Sequence, residues 1–195
     1  MPPATQALLI ANVAVFLLQS SGGGDIEGLF ALWPIGYGFQ AWQLVSYSFL
    51  HGGIGHIFFN MFALYMFGGD VERLFGSRFF LLYYFACVVS AALLHLAVTA
   101  LVGAYPAPTI GASGAVYGVL LAFGMYFPRR MVMLIIPPIP MQARYFVILF
   151  GAIELVFGVT GTEAGVAHFA HLGGMLGGWL MIQYRRRGFP FGPRR

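Results

Sequence analysis

Eight polar side chains interrupt otherwise apolar stretches of this sequence: His51, His56, Asn60, His95, Ser113, Glu154, His168 and His171. Polar groups surrounded by lipid are costly, so each is first read as functional. Ser113 and His171 have the chemistry of a nucleophile and its general base. Ser113 stands in Gly111-Ala112-Ser113-Gly114 and opens an apolar run. A helix starting there would present free backbone N–H groups to a developing oxyanion. His56 and Asn60 lie at i, i+4, which places both hydrogen-bond donors on one helical face. Taken singly, each signal has a plain structural meaning. Ser113 could be a helix N-cap, and the His56/Asn60 pair could be interhelical glue.

Glycines connect the candidates. His171 opens His171-Leu172-Gly173-Gly174-Met175-Leu176-Gly177-Gly178, with Gly174 and Gly178 on its own face and Gly173/Gly177 as a second small-residue pair. Gly114 and Gly118 carry the same spacing behind Ser113. Small residues at this spacing let membrane helices approach closely. The two helices should therefore meet, with Ser113 beside His171. His168, one turn earlier, is the alternative base, but the glycine phase favours His171. Glu154 lies mid-way along its own segment, so no carboxylate is expected to orient the histidine; the expectation is a Ser–His dyad rather than a triad. The histidines could also suggest a metal cluster. With no carboxylate or thiol placed beside them, and Ser113 then unexplained, no metal and no cofactor are expected.

The elements that must position these groups follow from composition. The 195 residues are 59% hydrophobic and only 8% charged, with mean hydropathy +0.82. A soluble domain carries about 25% charged residues, so an ordinary soluble globule, a disordered chain and a nucleic-acid binder are all excluded. The single Cys87 excludes a disulfide framework. The reading is an all-α polytopic membrane protein, one domain over 1–195 with no soluble accessory domain. Its six spans lie at about 4–20, 54–69, 79–102, 113–127, 145–159 and 167–184. The Gly-rich stretch 21–42 should pack on or in the membrane surface. The fourth segment is short: 113–127 rises about 22 Å as helix against a hydrocarbon core of about 30 Å. Ser113 should therefore start its helix inside the membrane, delivered by the Pro-containing loop 104–112 descending into the bundle.

All ten basic residues are Arg: 73, 78, 129, 130, 144, 185, 186, 187, 194 and 195. With the N-terminus in the cytoplasm, every one falls in an inner loop or the tail. This positive-inside pattern puts both termini in the cytoplasm.

Four blocks, in order, resemble the rhomboid family of intramembrane serine proteases over nearly the whole chain. They are Trp42-Gln43-Leu44-Val45-Ser46 through His51; His56-Ile57-Phe58-Phe59-Asn60; Gly111-Ala112-Ser113-Gly114; and Ala170-His171-Leu172-Gly173-Gly174 continuing to Gly178. The resemblance implies a six-helix rhomboid bundle of the minimal bacterial form. It implies Ser113 as nucleophile, His171 as general base, and an oxyanion hole made by His56, Asn60 and the Ser113 backbone N–H. Tyr117, at i+4 from Ser113, would pack on the catalytic imidazole, with Gly111, Gly114, Gly174 and Gly178 in support. Glu72, in Gly68-Gly69-Asp70-Val71-Glu72-Arg73, would satisfy buried backbone groups, and His51 would be structural or water-retaining. The first outer loop departs from many members in lacking a Trp-Arg pair, which bears on its lipid contacts and not on the chemistry.

The expected activity is hydrolysis of peptide bonds in or near transmembrane segments of single-span proteins. The setting is a prokaryotic plasma membrane. Substrate would enter between spans two and five, past Phe146, Phe150 and Phe157, while the loop 161–167 caps the site. Two other classes are weighed. An inactive, client-binding relative would lack the serine or the histidine, and both are present. A small transporter would carry several charged groups along a path, whereas only Glu154 is charged and mid-span.

Overall fold

In the computed structural model, residues 1–22, 25–102, 107–134, 138–161 and 167–187 are described. Helix α1 (Pro3–Ser20) begins with proline in its first turn, where a missing N–H costs nothing. Two short helices follow, α2 (Ile26–Phe30) and α3 (Gln43–Ser46), the latter running into a 3₁₀ turn at Tyr47–Phe49. They belong to the 21–42 stretch and its continuation. Side chains bind that stretch together: Trp33 Nε1 donates to Gly28 O at 2.9 Å and Trp42 Nε1 to Leu29 O at 3.0 Å.

Helix α4 (Ile54–Ala63) passes through a π-helical turn at Leu64–Gly68 into α5 (Gly69–Phe75). The second segment thus runs on to Phe75 rather than ending at 69, taking in Asp70, Glu72 and Arg73. The reason is at Glu72, 1% exposed. Its Oε1 accepts from Ala4 N at 2.9 Å, and its Oε2 from Thr5 N and Thr5 Oγ1, both at 2.7 Å. The Ala4 and Thr5 N–H groups are in the first turn of α1, where they have no partner within their own helix and favour a carboxylate. The Glu72 charge lies inside the segment because it caps the neighbouring helix.

Helix α6 (Ser77–Val102) is central. Phe80, Tyr83, Tyr84, Cys87 and Val88 on it are fully buried. Helix α7 (Ser113–Tyr126) packs on it, then a hairpin of β1 (Met131–Met133) and β2 (Pro140–Gln142), absent from the sequence reading, leads to α8 (Ala143–Thr160) and α9 (His168–Arg186). Among the described residues, helix covers all six apolar segments. Three helices, α1, α6 and α8, are long and apolar enough to cross a membrane. Large apolar side chains such as Ile10, Leu17, Phe58, Ile148 and Leu155 are more than half exposed. This outward apolar surface is that of an integral membrane protein.

Glycines set the helix spacing as the sequence suggested, with one change. A methyl on Gly174 would strike the Gly114 carbonyl, so α7 and α9 touch backbone to backbone. Gly173 and Gly177 instead rest against Ser90 of α6. The nearest neighbours of a methyl on Gly178 are likewise on α6, at Tyr83 and Cys87. Seven residues of straight helix drift by only about 20°, so Gly178 keeps the phase of His171 and differs in lying one turn beyond the Gly174 contact.

Candidate active site

Ser113 is the first residue of α7, and Ala112 before it makes no side-chain cap. The segment leading to it is tied on several sides. Leu32 and Thr109 exchange two backbone hydrogen bonds of 2.9 Å, and Gly111 N donates to Tyr47 O at 2.9 Å. Thr109 Oγ1 lies 2.8 Å from His95 Nε2. Of the loop 104–112, residues 104–106 lie outside the described residues. Gly111 has φ +127°, a conformation that favours glycine, and a Cβ there would sit 2.7 Å from His56 Nε2. Glycine therefore lets the imidazole of His56 lie against the chain just before the nucleophile.

Ser113 Oγ is 2.7 Å from His171 Nε2. In the tautomer that carries its proton on Nδ1, the hydroxyl donates to Nε2, as a nucleophile does to its base. Tyr117 stacks on the His171 ring, centroids 4.4 Å apart and planes 9° apart. His56, Asn60, Ser113 and Tyr117 all line one groove of about 830 Å³ between α4, α7 and α8, with Phe146 and Phe150 on its wall. Asn60 Nδ2 donates one hydrogen to His56 O at 2.9 Å, leaving the amide's second hydrogen for a ligand. Phe157, expected among the entry residues, turns instead to His168, with ring centroids 5.8 Å apart. The expected capping loop, 161–167, lies almost wholly outside the described residues.

A rhomboid domain model matches residues 38–188. The chain belongs to the rhomboid family. It is 32% identical over 173 residues to the Bacillus subtilis rhomboid protease GluP, covering 85% of this chain and 31% of that protein. It is 31% identical over 191 residues to yeast (Saccharomyces cerevisiae) rhomboid protein 1, mitochondrial, covering 91% and 52%. It is 29% identical over 188 residues to the Serratia proteamaculans rhomboid protease GlpG, covering 95% and 63%. The chain thus spans between 31% and 63% of the length of these curated relatives.

Against that family background one expectation is overturned. Glu154 does reach the histidine: its Oε2 lies 2.9 Å from His171 Nδ1 and 2.6 Å from His168 Nδ1, while Tyr117 OH donates to its Oε1. Position along a segment gives depth, but the direction a side chain faces depends on how the helix is rotated. A signal was present. Gly151, Glu154 and Gly158 repeat the i, i+3, i+7 phase of His171, Gly174 and Gly178. Those two glycines are where α8 meets Met175 and His168 of α9.

The reason for discounting a metal, that no carboxylate stands by the histidines, falls with it. Glu154, His168 and His171 offer ligand atoms all within 4.8 Å of one another. Their geometry suits protons better. Two ligands about 2.1 Å from a tetrahedral ion are about 3.4 Å apart, whereas here the nitrogen–oxygen pairs stand at 2.6 and 2.9 Å. The 2.6 Å His168 pair shares a hydrogen and the 2.9 Å His171 pair is at ion-pair distance; an ion would have to push both apart.

His51 packs edge-on to His56, centroids 5.0 Å apart, outside the Ser113–His171 pair. Burial, with His56 beside it, pushes the His51 imidazole down to about 4.

Proposed function

We propose that this chain is an intramembrane serine endopeptidase that hydrolyses peptide bonds in or near transmembrane segments of single-span membrane proteins. The observation that carries the proposal is the 2.7 Å contact between Ser113 Oγ and His171 Nε2 at the head of a groove shared with His56 and Asn60. A locally unwound substrate would enter that groove from the bilayer, between α4 and α8. His171 takes the Ser113 proton as Oγ attacks the carbonyl carbon. Negative charge collects on the carbonyl oxygen, where His56, the free hydrogen of Asn60 and the Ser113 N–H are available to hold it. His171 passes its proton to the leaving amine, and water then hydrolyses the acyl-enzyme by the same exchange. The rhomboid relatives named as proteases support this reading.

The proposed setting is six spans with both termini in the cytoplasm of a prokaryote. Arginine placement supports it. Arg130 pairs with Asp70 at 2.7 Å, and Arg185 reaches Phe75 O at 3.2 Å. The ends of α5, α7 and α9 thus form one basic face, at the far ends of α7 and α9 from Ser113 and His171.

The test uses purified protein in liposomes with a single-span substrate. Wild type should cleave it, and a fluorophosphonate should label Ser113. Ser113→Ala and His171→Ala should each abolish cleavage, while His168→Ala should retain part of it. Loss with His168→Ala alone would move the base one turn. A wild type that neither cleaves nor labels would favour an inactive, client-binding member of the family.

A further inference from the structure

We infer that Glu154 is a positioning carboxylate for His171, so that this chain works with a Ser113–His171–Glu154 relay rather than a two-residue pair. The inference rests on the protease reading above. A serine hydroxyl that donates to Nε2 leaves the imidazole proton on Nδ1, and Nδ1 faces Glu154 Oε2 at 2.9 Å. When His171 accepts the serine proton it becomes a cation, with an anion already beside it. The carboxylate stays unprotonated throughout. It holds the tautomer and stabilises the imidazolium, as the third member of such a relay does.

Three features show that the carboxylate is built into the site. Glu154 is 6% exposed on a helix that otherwise buries only Ala143 and Val147. A buried carboxylate needs partners to offset its lost hydration, and its partners Tyr117, His168 and His171 are all groups at this site. Tyr117 OH donates to Oε1, and the same Tyr117 ring stacks on His171, so one residue fixes both members. His168 Nδ1 holds Oε2 at 2.6 Å from the other side. Carboxylate, tyrosine and two imidazoles form one continuous polar cluster, with Oε2 shared between the two Nδ1 atoms.

His171 Nδ1 makes no aligned hydrogen bond among the described residues, although Oε2 is within ion-pair distance. Contacts of this kind tighten when substrate binds. Oε2 need only rotate from His168 toward His171 as the imidazolium forms. His168 is then the group that keeps the carboxylate in place between turnovers.

The experiment compares wild type, Glu154→Gln and Glu154→Asp in liposomes. The readouts are kcat and KM for a single-span substrate, the rate of fluorophosphonate labelling of Ser113, and the thermal unfolding midpoint. Base catalysis is worth about 10²–10⁴-fold, and Glu154→Gln should lose kcat and labelling rate in that range with KM little changed. Glu154→Asp keeps the charge one methylene further back and should recover part of the loss. If Glu154→Gln does not fold, Glu154→Asp still decides: a fall in kcat at constant KM supports the assignment, and a wild-type kcat overturns it. A wild-type rate in Glu154→Gln also overturns it. So does equal loss in both variants matched by an equal fall in unfolding midpoint, which would mark Glu154 as structural. Chelator inactivation of wild type reversed by zinc would overturn it too, in favour of a metal at these ligands. A wild type that neither cleaves nor labels removes the protease reading itself, a result distinct from all of these.

Discussion

Gly174→Ala separates the two catalytic helices without touching a catalytic group. A methyl at residue 174 would lie 2.6 Å from the Gly114 carbonyl carbon, with the carbonyl oxygen nearer still. Ordinary carbon–carbon contact needs about 3.5 Å. The obstacle is backbone in the first turn of α7, so no side-chain rotation relieves it. Helices α7 and α9 must therefore part by about 1 Å, and Gly174 is one turn below His171. If the whole displacement reaches the site, the Ser113–His171 contact opens from 2.7 Å to about 3.7 Å, beyond hydrogen-bond reach. A misplacement of about 1 Å costs on the order of 10²-fold in rate, and overpacking costs about 1–3 kcal/mol in stability.

The assay is the rate of fluorophosphonate labelling of Ser113, followed with thermal unfolding in the same detergent. Labelling should slow about a hundredfold while the protein remains folded at the assay temperature. Gly69→Ala is the control, since the nearest atoms a methyl there meets, on Pro2 and Arg73, are 3.5 Å or more away. It should label at the wild-type rate and be no less stable, alanine being the better helix former. If Gly174→Ala labels as fast as wild type, the claim that glycine contact sets the catalytic distance is wrong.

Three further outcomes follow from the same geometry. Glu72→Ala strands the buried N–H groups of Ala4 and Thr5; at about 1–3 kcal/mol per unsatisfied donor, unfolding should become easier by about 2–6 kcal/mol, and unchanged stability would remove Glu72 as the cap of α1. Gly111→Ala forces a left-handed backbone on alanine and drives its Cβ toward His56 Nε2; labelling should slow with His171 intact, and wild-type kinetics would show that His56 does not need that space. His51 is lowered from 6.5 to about 4 on folding, so the folded chain binds fewer protons than the unfolded chain between those values. Stability from this group is full above about pH 6.5 and falls as pH drops toward 4, by about 3 kcal/mol in all. His51→Asn should flatten that part of the stability–pH curve, and an unaltered slope would show that the group titrates normally in the fold.

Part of this site was legible because close approach leaves a mark in composition. Helices in contact at their backbones need glycine, and glycine at i+3 and i+7 from His171 shows which face is in contact. Ser113 and His171 could be paired on that ground before any fold was known. Gly178 shows where the reasoning weakens: it shares the phase of His171, yet its nearest neighbours, Tyr83 and Cys87, are on α6. The π turn at Leu64–Gly68 is a further case, because it alters the rotation of α5 relative to α4 in a way no apolar pattern records.

Glu154 was missed for a different reason. A lone acid in an apolar helix has a readable depth, and its facing depends on a narrow contact between α8 and α9. Most of α8 is turned outward, so its apolar residues carry no inward stripe that would have oriented it. The phase of Gly151 and Gly158 does orient it, toward the histidines of α9. A charged residue flanked at i−3 and i+4 by glycine is therefore better read as one facing a neighbouring helix at close range than as an isolated cost of insertion. Any partner it finds there must be polar, and in this chain the polar side chains of α9 nearest that contact are His168 and His171.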